Sequence, residues 1–372
     1  MRERPILLAA GGTGGHLFPA FALAEELNRR DWTVELATDM RGGRYGADFP
    51  AEKVHRINSA TLRSRSPIAL ARTGYSLAAG IYQAYKLIGK MRPAAVIGFG
   101  GYPSFPPLVG AKLRGIPTVL HEQNAVLGRA NRMLVDRVTA VATSFENVQF
   151  ISDVLRSKVR LTGNPVRDIV VAQAAKAYPV PPSIESAERF HLLVFGGSQG
   201  ARFFSERIPS ALSQLSEALR LRLRITQQCR EEDLEAVRAT YAQAGLDAEC
   251  ATFFQDLPRR IAACHLVIGR AGASSIAELT VIGRPSILVP LPHALDSDQL
   301  RNAESLAKAG GAICISQSDL TDERLRADLI KIMSNPGELI TAAANAKSMG
   351  RPDAVLRLAD LVEELAGAAT PI

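Results

Sequence analysis

"ILLAAGGTGGHLFPAFALAEEL", residues 6–27, sets a short apolar run against four glycines within five positions, then a histidine, then an amphipathic helical pattern. A backbone stripped of side chains between a strand and a helix can bring its amides and the helix N-terminus up to an anion. A nicotinamide fingerprint would need a glycine three residues after Gly14, where Leu17 stands. No Lys-Ser/Thr pair follows either, so a P-loop is excluded. Asp39 ends the next apolar run, where a dinucleotide-binding acid would sit, but an acid at a strand end is common. The loop is therefore read as a backbone cradle for a phosphate or pyrophosphate, the alternative being a tight turn that holds no ligand.

Outward from this loop, strand-like runs alternate with helical patterns along the whole chain. In the first half the runs are 6–10, 33–38, 94–99, 117–122 and 138–143, with helices clearest at 17–30, 67–90 and 104–114. In the second half they are 190–196, 222–226, 248–253, 265–269, 285–290 and 311–316. Such alternation implies right-handed crossovers and a parallel sheet covered on both faces. Having it twice implies an α/β chain of two Rossmann-like, doubly wound domains facing a cleft. Expected boundaries are 1–163, 164–350 and a C-terminal stretch 351–372 whose helix pattern packs back on the first domain. Ligands of such sheets bind beyond the C-terminal strand ends.

A matching loop opens the second half, "LLVFGGSQGARFF" (192–204), so each domain is expected to offer one anion site. "GRAGASSIAEL" (269–279) adds small residues and caps, with Glu278 placed either to accept a ribose's hydroxyls or to sit favourably near a helix N-terminus. In "DSDQLRNAESL" (296–306), Asp296 and Asp298 suit N-capping better than a metal pair. His16 follows the first loop at a helix start, where the dipole would keep it neutral and able to act as a base; the bland alternative is a histidine that orients the loop. His121, Glu122, Gln123 and Asn124 of "HEQN" and Asn164 and Arg167 of "GNPVR" are further polar strand-end groups.

Composition narrows the partners. Hydrophobic residues make up 47% and charged residues 22%, as in ordinary globular proteins, and no apolar stretch approaches the roughly 20 residues of a membrane span. The N-terminus lacks a signal-peptide core, and the four cysteines are scattered without ligand-like spacing, so a reducing, cytosolic setting is expected. Residues 1–165 carry 22 Lys and Arg against 12 Asp and Glu, whereas the remainder carries 22 against 25. The first domain should meet something anionic. No basic run is interleaved with aromatics, which argues against nucleic acid. Residues 61–93, an apolar helical pattern flanked by Arg63, Arg65, Arg72, Lys86, Lys90 and Arg92, fit either a buried helix or a peripheral contact with an anionic bilayer.

Taken in order over residues 11–303, "GGTGGHLFPA", "GFGGYPS", "HEQN", "TGNPVR", "GGSQGA", "AGASSIAEL" and the Gln299-x-x-Asn302-Ala303 run closely resemble the MurG family of peptidoglycan glycosyltransferases. The resemblance implies the GT-B glycosyltransferase architecture. It implies a C-terminal domain that binds UDP-N-acetylglucosamine and an N-terminal domain that receives lipid I, the undecaprenyl-linked acceptor, at the cytoplasmic face of the inner membrane. Carried over by motif, Ser198 would contact the donor diphosphate and Glu278 the ribose, with Ala273, Ser274, Ser275, Ile276 and Ala277 lining the nucleotide. Phe254 would read uracil through its backbone, Gln299 would bind sugar hydroxyls, and Asn124 would reach the donor sugar from across the cleft. Arg167 would lie near the diphosphate, and Thr13, Gly14 and Gly15 near the transferred sugar and the acceptor pyrophosphate. His16 is the candidate base of an inverting transfer. The resemblance requires no cofactor and leaves stimulation by a divalent cation open. Two departures stand out: Ala271 replaces a common serine, and Phe254 a typical aliphatic residue. The rival enzyme reading is a UDP-N-acetylglucosamine 2-epimerase, followed by a GT-B transferase with another acceptor and by a non-enzymatic nucleotide-sugar sensor.

Overall fold

The computed structural model describes residues 4–11, 14–39, 49–59, 66–183, 186, 188–197, 202–292 and 295–368. Its contacts divide the chain into two compact units, 1–167 with 351–372, and 168–350.

The first unit is built on a seven-stranded sheet. Its strands are β1 (Ile6–Ala9), β2 (Val34–Thr38), β3 (Lys53–Arg56), β4 (Ala95–Gly98), β5 (Thr118–Glu122), β6 (Ala140–Thr143) and β7 (Val159–Leu161), in the order β3-β2-β1-β4-β5-β6-β7, all parallel. The central strands are buried along their whole length, as a sheet covered on both faces demands. β3 and β7 were not expected from the sequence. Both are edge strands with mostly exposed or half-exposed positions, and "KVHR" carries charge in place of an apolar run.

Helix Gly14–Arg29 covers one sheet face, and helices Pro67–Met91 and Gly101–Leu113 cover the other. The C-terminal helix Ala354–Ala368 belongs to the first of these layers, burying Leu358, Ala359, Leu361 and Val362 against Leu23, Leu27 and Trp32. A charged clasp fixes its outer side. Arg30 binds Glu26, Asp360 and Glu363 at 2.6–2.8 Å, and the Trp32 indole N–H donates to Glu363 at 2.9 Å. The returning chain passes so close to Gly163 (φ 88°) that a Cβ there would stand 2.9 Å from the Cβ atoms of Arg351 and Ala354. Backbone sign and space both require glycine at that position.

The second unit repeats the plan with six parallel strands: β8 (Phe190–Phe195), β9 (Leu223–Gln228), β10 (Asp247–Ala251), β11 (Leu266–Gly269), β12 (Ser286–Leu288) and β13 (Ala312–Cys314). Their order is β10-β9-β8-β11-β12-β13. In both sheets the strand order reverses beside the first strand, and the crevice beyond the strand ends at that point is where open α/β sheets take ligands.

Arg284 holds the helices of this unit. It is 1% exposed, and its guanidinium donates to the carbonyls of Ile261, Ala262, Ile282, Gly283 and Ala177 at 2.5–3.4 Å, over the Tyr178 ring. Five N–H groups meet five carbonyls. Four of those carbonyls belong to the C-terminal ends of helices Leu257–Ala263 and Ala273–Ile282, where the helix dipole favours a cation.

Candidate active site

In the first unit the loops after β1, β4, β5 and β7 converge at the switch point. Helix Gly14–Arg29 begins at the end of the glycine loop, which makes His16 its third residue; Gly14 is buried and Gly15 partly so. Thr13 lies outside the described residues. His16 Nδ1–H donates to the Gly11 carbonyl at 3.2 Å, which places the basic lone pair on Nε2. The ring rests on the turn after β4. A Cβ on Gly100 or Gly101 would stand 3.5 or 3.3 Å from ring carbons, and both glycines have positive φ (87° and 69°). Burial holds the His16 pKa below the ordinary histidine value, against the hydrogen bond to Gly11, which raises it. Asp39 is exposed, and its carboxylate accepts from the Ser59 hydroxyl at 2.9 Å.

The "HEQN" segment ends β5 and is largely buried. His121 Nε2–H donates to the Gly163 carbonyl at 3.0 Å, while its Nδ1 accepts from Gln123 at 2.9 Å. Gln123 also donates to the Phe99 carbonyl at 2.9 Å, tying this strand end to the turn beneath His16. Burial lowers the His121 pKa to about 4, so the ring is neutral and the tautomer fixed. Glu122 accepts from Asn124, Gly128 and Asn131. Arg167 is partly buried, with its guanidinium 4.9 Å from the Phe18 ring of helix Gly14–Arg29.

In the second unit Gly196 and Gly197 follow β8, and Ser198 lies outside the described residues. Helix Ala273–Ile282 follows β11, capped by the extended Gly272. Ala273, Ser274, Ser275 and Ala277 are partly exposed, whereas Ile276 is buried in the core. Glu278 is the sixth helical residue and there is no acid in the first turn, which removes the dipole account of that carboxylate. The capping expected of Asp296 and Asp298 also needs correction. Ser297, in the left-handed region, is the N-cap of helix Asp298–Lys308, with no side-chain cap bond, and the Asp298 carboxylate accepts from the Gln299 N–H. No group of three His, Cys, Asp or Glu suited to a metal occurs among the described residues.

Gln299 accepts the Leu291 N–H at 3.0 Å, and Asn302 donates to the Ala271 carbonyl at 3.1 Å, so this helix is tied to the loops after β11 and β12. Phe254 is buried beneath Arg260, whose guanidinium lies 4.2 Å from its ring, leaving the neighbouring Phe253 exposed. The sequence did not single out Arg270. Buried at the end of β11, it donates to Val289, Pro290 and Gln317 at 2.6–3.1 Å and stands over the Phe204 ring. It joins the segments that follow four strands.

Comparison with known proteins bears directly on these loops. Residues 6–143 match the N-terminal domain of glycosyltransferase family 28, and residues 191–358 match its C-terminal domain. Over all of its length the chain is 52% identical to the UDP-N-acetylglucosamine–N-acetylmuramyl-(pentapeptide) pyrophosphoryl-undecaprenol N-acetylglucosamine transferase of Chelativorans sp., covering 97% of that protein. It is also 52% identical to the equivalently named protein of Rhodopseudomonas palustris, over 98% of this chain and all of that one. The crystal structure of Acinetobacter baumannii MurG superposes with a TM-score of 0.79 at 30% identity, covering 97% of this chain and 99% of that one. The chain belongs to the MurG family of glycosyltransferases.

Members of the MurG family have the GT-B architecture, and the two parallel α/β units described above are its two halves. A UDP-N-acetylglucosamine 2-epimerase from Neisseria meningitidis also superposes, with a TM-score of 0.67 over 97% of this chain and all of that one, but at 11% identity. That likeness extends to the fold alone, so the epimerase reading is not favoured over MurG-family membership.

Proposed function

We propose that the protein transfers N-acetylglucosamine from UDP-N-acetylglucosamine to the 4-hydroxyl of N-acetylmuramic acid in undecaprenyl-pyrophosphoryl-N-acetylmuramoyl-pentapeptide, converting lipid I to lipid II in peptidoglycan synthesis. The carrying observation is identity of 52% along the whole chain with proteins named for that reaction. An α-linked donor and a β-1,4 product require inversion in a single displacement. The acceptor oxygen attacks the anomeric carbon, its proton passes to Nε2 of His16, and the bond to UDP breaks with the electron pair leaving on the diphosphate.

The second unit is assigned the nucleotide: Ser198, Ala273, Ser274, Ser275, Ala277 and the Ile276 backbone around it, Glu278 at the ribose, the Phe254 backbone at uracil and Gln299 at the sugar. The first unit is assigned the transferred sugar and the lipid pyrophosphate, through Thr13, Gly14, Gly15 and the N-terminus of helix Gly14–Arg29, and Arg167 is assigned the departing diphosphate of the donor. The measurement is transfer of labelled N-acetylglucosamine from its UDP donor to the lipid-linked acceptor. One added N-acetylhexosamine, found by mass with released UDP, supports the reading. No transfer by a folded, UDP-binding protein overturns it.

The first unit is also assigned a peripheral contact with anionic lipid on the cytoplasmic face of the inner membrane. No helix of the described residues is long and apolar enough to cross a membrane. Along helix Pro67–Met91, Gly80, Ala84 and Ile88 face the core, while Tyr75 and Tyr82 are 79% and 59% exposed, with Lys86 placed 4.6 Å from the Tyr82 ring. Residues 61–65, with Arg63 and Arg65, lie outside the described residues. Aromatic rings beside cations suit the headgroup region of an acidic bilayer. The protein is expected to sediment with vesicles containing phosphatidylglycerol and not with pure phosphatidylcholine. Tyr75→Ser with Tyr82→Ser should lose most of that binding; unchanged sedimentation of the double variant would return the helix to a purely structural role.

A further inference from the structure

The turn after β4 is the floor of the His16 ring, and its backbone does not hold itself in place. Gly100 and Gly101 follow one another with φ of 87° and 69°, conformations that glycine enters and leaves freely. Phe99 continues the ladder beside β1, its N–H donating to the Ala9 carbonyl at 2.9 Å. Side chains tie the turn as well. The fully buried Ser104 hydroxyl lies 2.8 Å from the Gly100 carbonyl and 2.8 Å from that of Ala9. From the end of β5, the Gln123 carboxamide, 2% exposed, donates to the Phe99 carbonyl at 2.9 Å.

The direction of the Gln123 amide is settled by a chain of bonds that starts at Gly163. A carbonyl only accepts, so His121 carries its hydrogen on Nε2, 3.0 Å from the Gly163 oxygen. Burial keeps that ring neutral, with its pKa lowered to about 4, and leaves Nδ1 as an acceptor. Gln123 must then face His121 with its NH₂ group, 2.9 Å away, and its other amide hydrogen goes to Phe99. Turned the other way, the amide would set its oxygen against an imidazole lone pair and a carbonyl, three acceptors without a donor. Gly163 is fixed in turn by the returning chain at Arg351 and Ala354, which leaves no room for a Cβ.

We propose that Gln123 is a positioning residue for the candidate base: its carboxamide, oriented by His121, pins the Phe99–Gly101 turn beneath the His16 ring and so sets where Nε2 of His16 points. The inference rests on the reading of His16 as the base. It adds what seats the ring once the bond from Nδ1 to the Gly11 carbonyl, at 3.2 Å, has fixed one edge. A bond at one edge leaves the tilt of an imidazole to whatever lies under it, and a misplacement of about 1 Å is enough to cost roughly 10²-fold in rate.

The test is a double-mutant cycle of Gln123→Met and His16→Ala in the full-length protein, with transfer by the wild type scored first. Methionine keeps the length of glutamine and removes both donors. Gln123→Met alone is expected to lower kcat by about 10–100-fold, with the KM for UDP-N-acetylglucosamine within about twofold. In the His16→Ala background the same change should cost less than about 3-fold, because a residue that acts through His16 has nothing left to position. An equal loss in both backgrounds, or no loss in the wild-type background, overturns the proposal. A second readout needs no turnover. With ring-labelled histidine, the NMR titration of His16, assigned by its absence from His16→Ala, should move up toward the ordinary histidine value in Gln123→Met as the ring leaves its buried seat. An unmoved titration also overturns the proposal. Absence of transfer by the wild type counts against the function, and an unchanged kcat in His16→Ala against the base; the titration then decides whether Gln123 seats the ring. Should Gln123→Met fail to fold, Ser104→Ala, which removes another tie to the same turn, carries the same cycle and the same titration.

Discussion

Replacing His16 by alanine is expected to lower kcat by about 10²–10⁴-fold, the usual range for a lost general base, while UDP affinity stays within about twofold. The Gly11 carbonyl fixes Nδ1 as the protonated nitrogen, and the glycine turn after β4 leaves room for the ring but for no side chain of its own. The base must be neutral to work, and burial lowers its pKa. Activity should therefore persist as pH falls through 6.5, the ordinary histidine value, and fail only below it, when His16 takes up a proton. Steady-state kinetics of His16→Ala, with a pH profile of the wild type, decide the matter. An unchanged kcat would remove His16 from the mechanism, and an acid limb above 6.5 would show that another group titrates.

Arg284→Met is expected to destabilise the second unit by about 3–5 kcal/mol, the cost typical of breaking a buried, fully bonded charge site. Methionine nearly fills the volume, but it withdraws the guanidinium donors from the buried carbonyls of Ile261, Ala262, Ile282 and Gly283 and from that of Ala177, and removes the cation that faces two helix C-termini. Arg284→Lys keeps the charge, yet three donors on a flexible stem cannot reach five carbonyls arranged around a plane, so an intermediate loss is expected. Urea unfolding of both variants measures this. A loss below about 1 kcal/mol for Arg284→Met would mean that water or repacking satisfies those carbonyls.

The sequence carried the central strands because each is an apolar run bounded by turn residues, which a sheet buried on both faces requires. It hid β3 and β7, which are short, edge-placed and polar enough to look like loop. The glycine loops were legible as gaps in side-chain volume, and the ordered motifs were legible as a family. The carboxylate network was not. Glu122 and Asn131 are nine residues apart and meet only because the turn after β5 folds back, a placement that no local period encodes. Arg270 and Arg284 were not singled out in the sequence. Only in three dimensions does each prove to sit among carbonyls that local pattern cannot bring together. Caps failed for a similar reason: an aspartate at a helix start suggests a side-chain cap, but Ser297 takes that place with a left-handed backbone.

The first unit takes its residues from both sides of the second, and its clasp of Arg30, Trp32 and Glu363 joins the two pieces. During synthesis, helix Ala354–Ala368 emerges only after every residue of the second unit has been made. Until then Leu23, Leu27 and Trp32 lack their covering layer. The half of the protein that begins first on the ribosome is thus the half that finishes last, holding an open apolar seam for the time it takes to translate its neighbour. That interval is when a chaperone has most to offer the nascent chain.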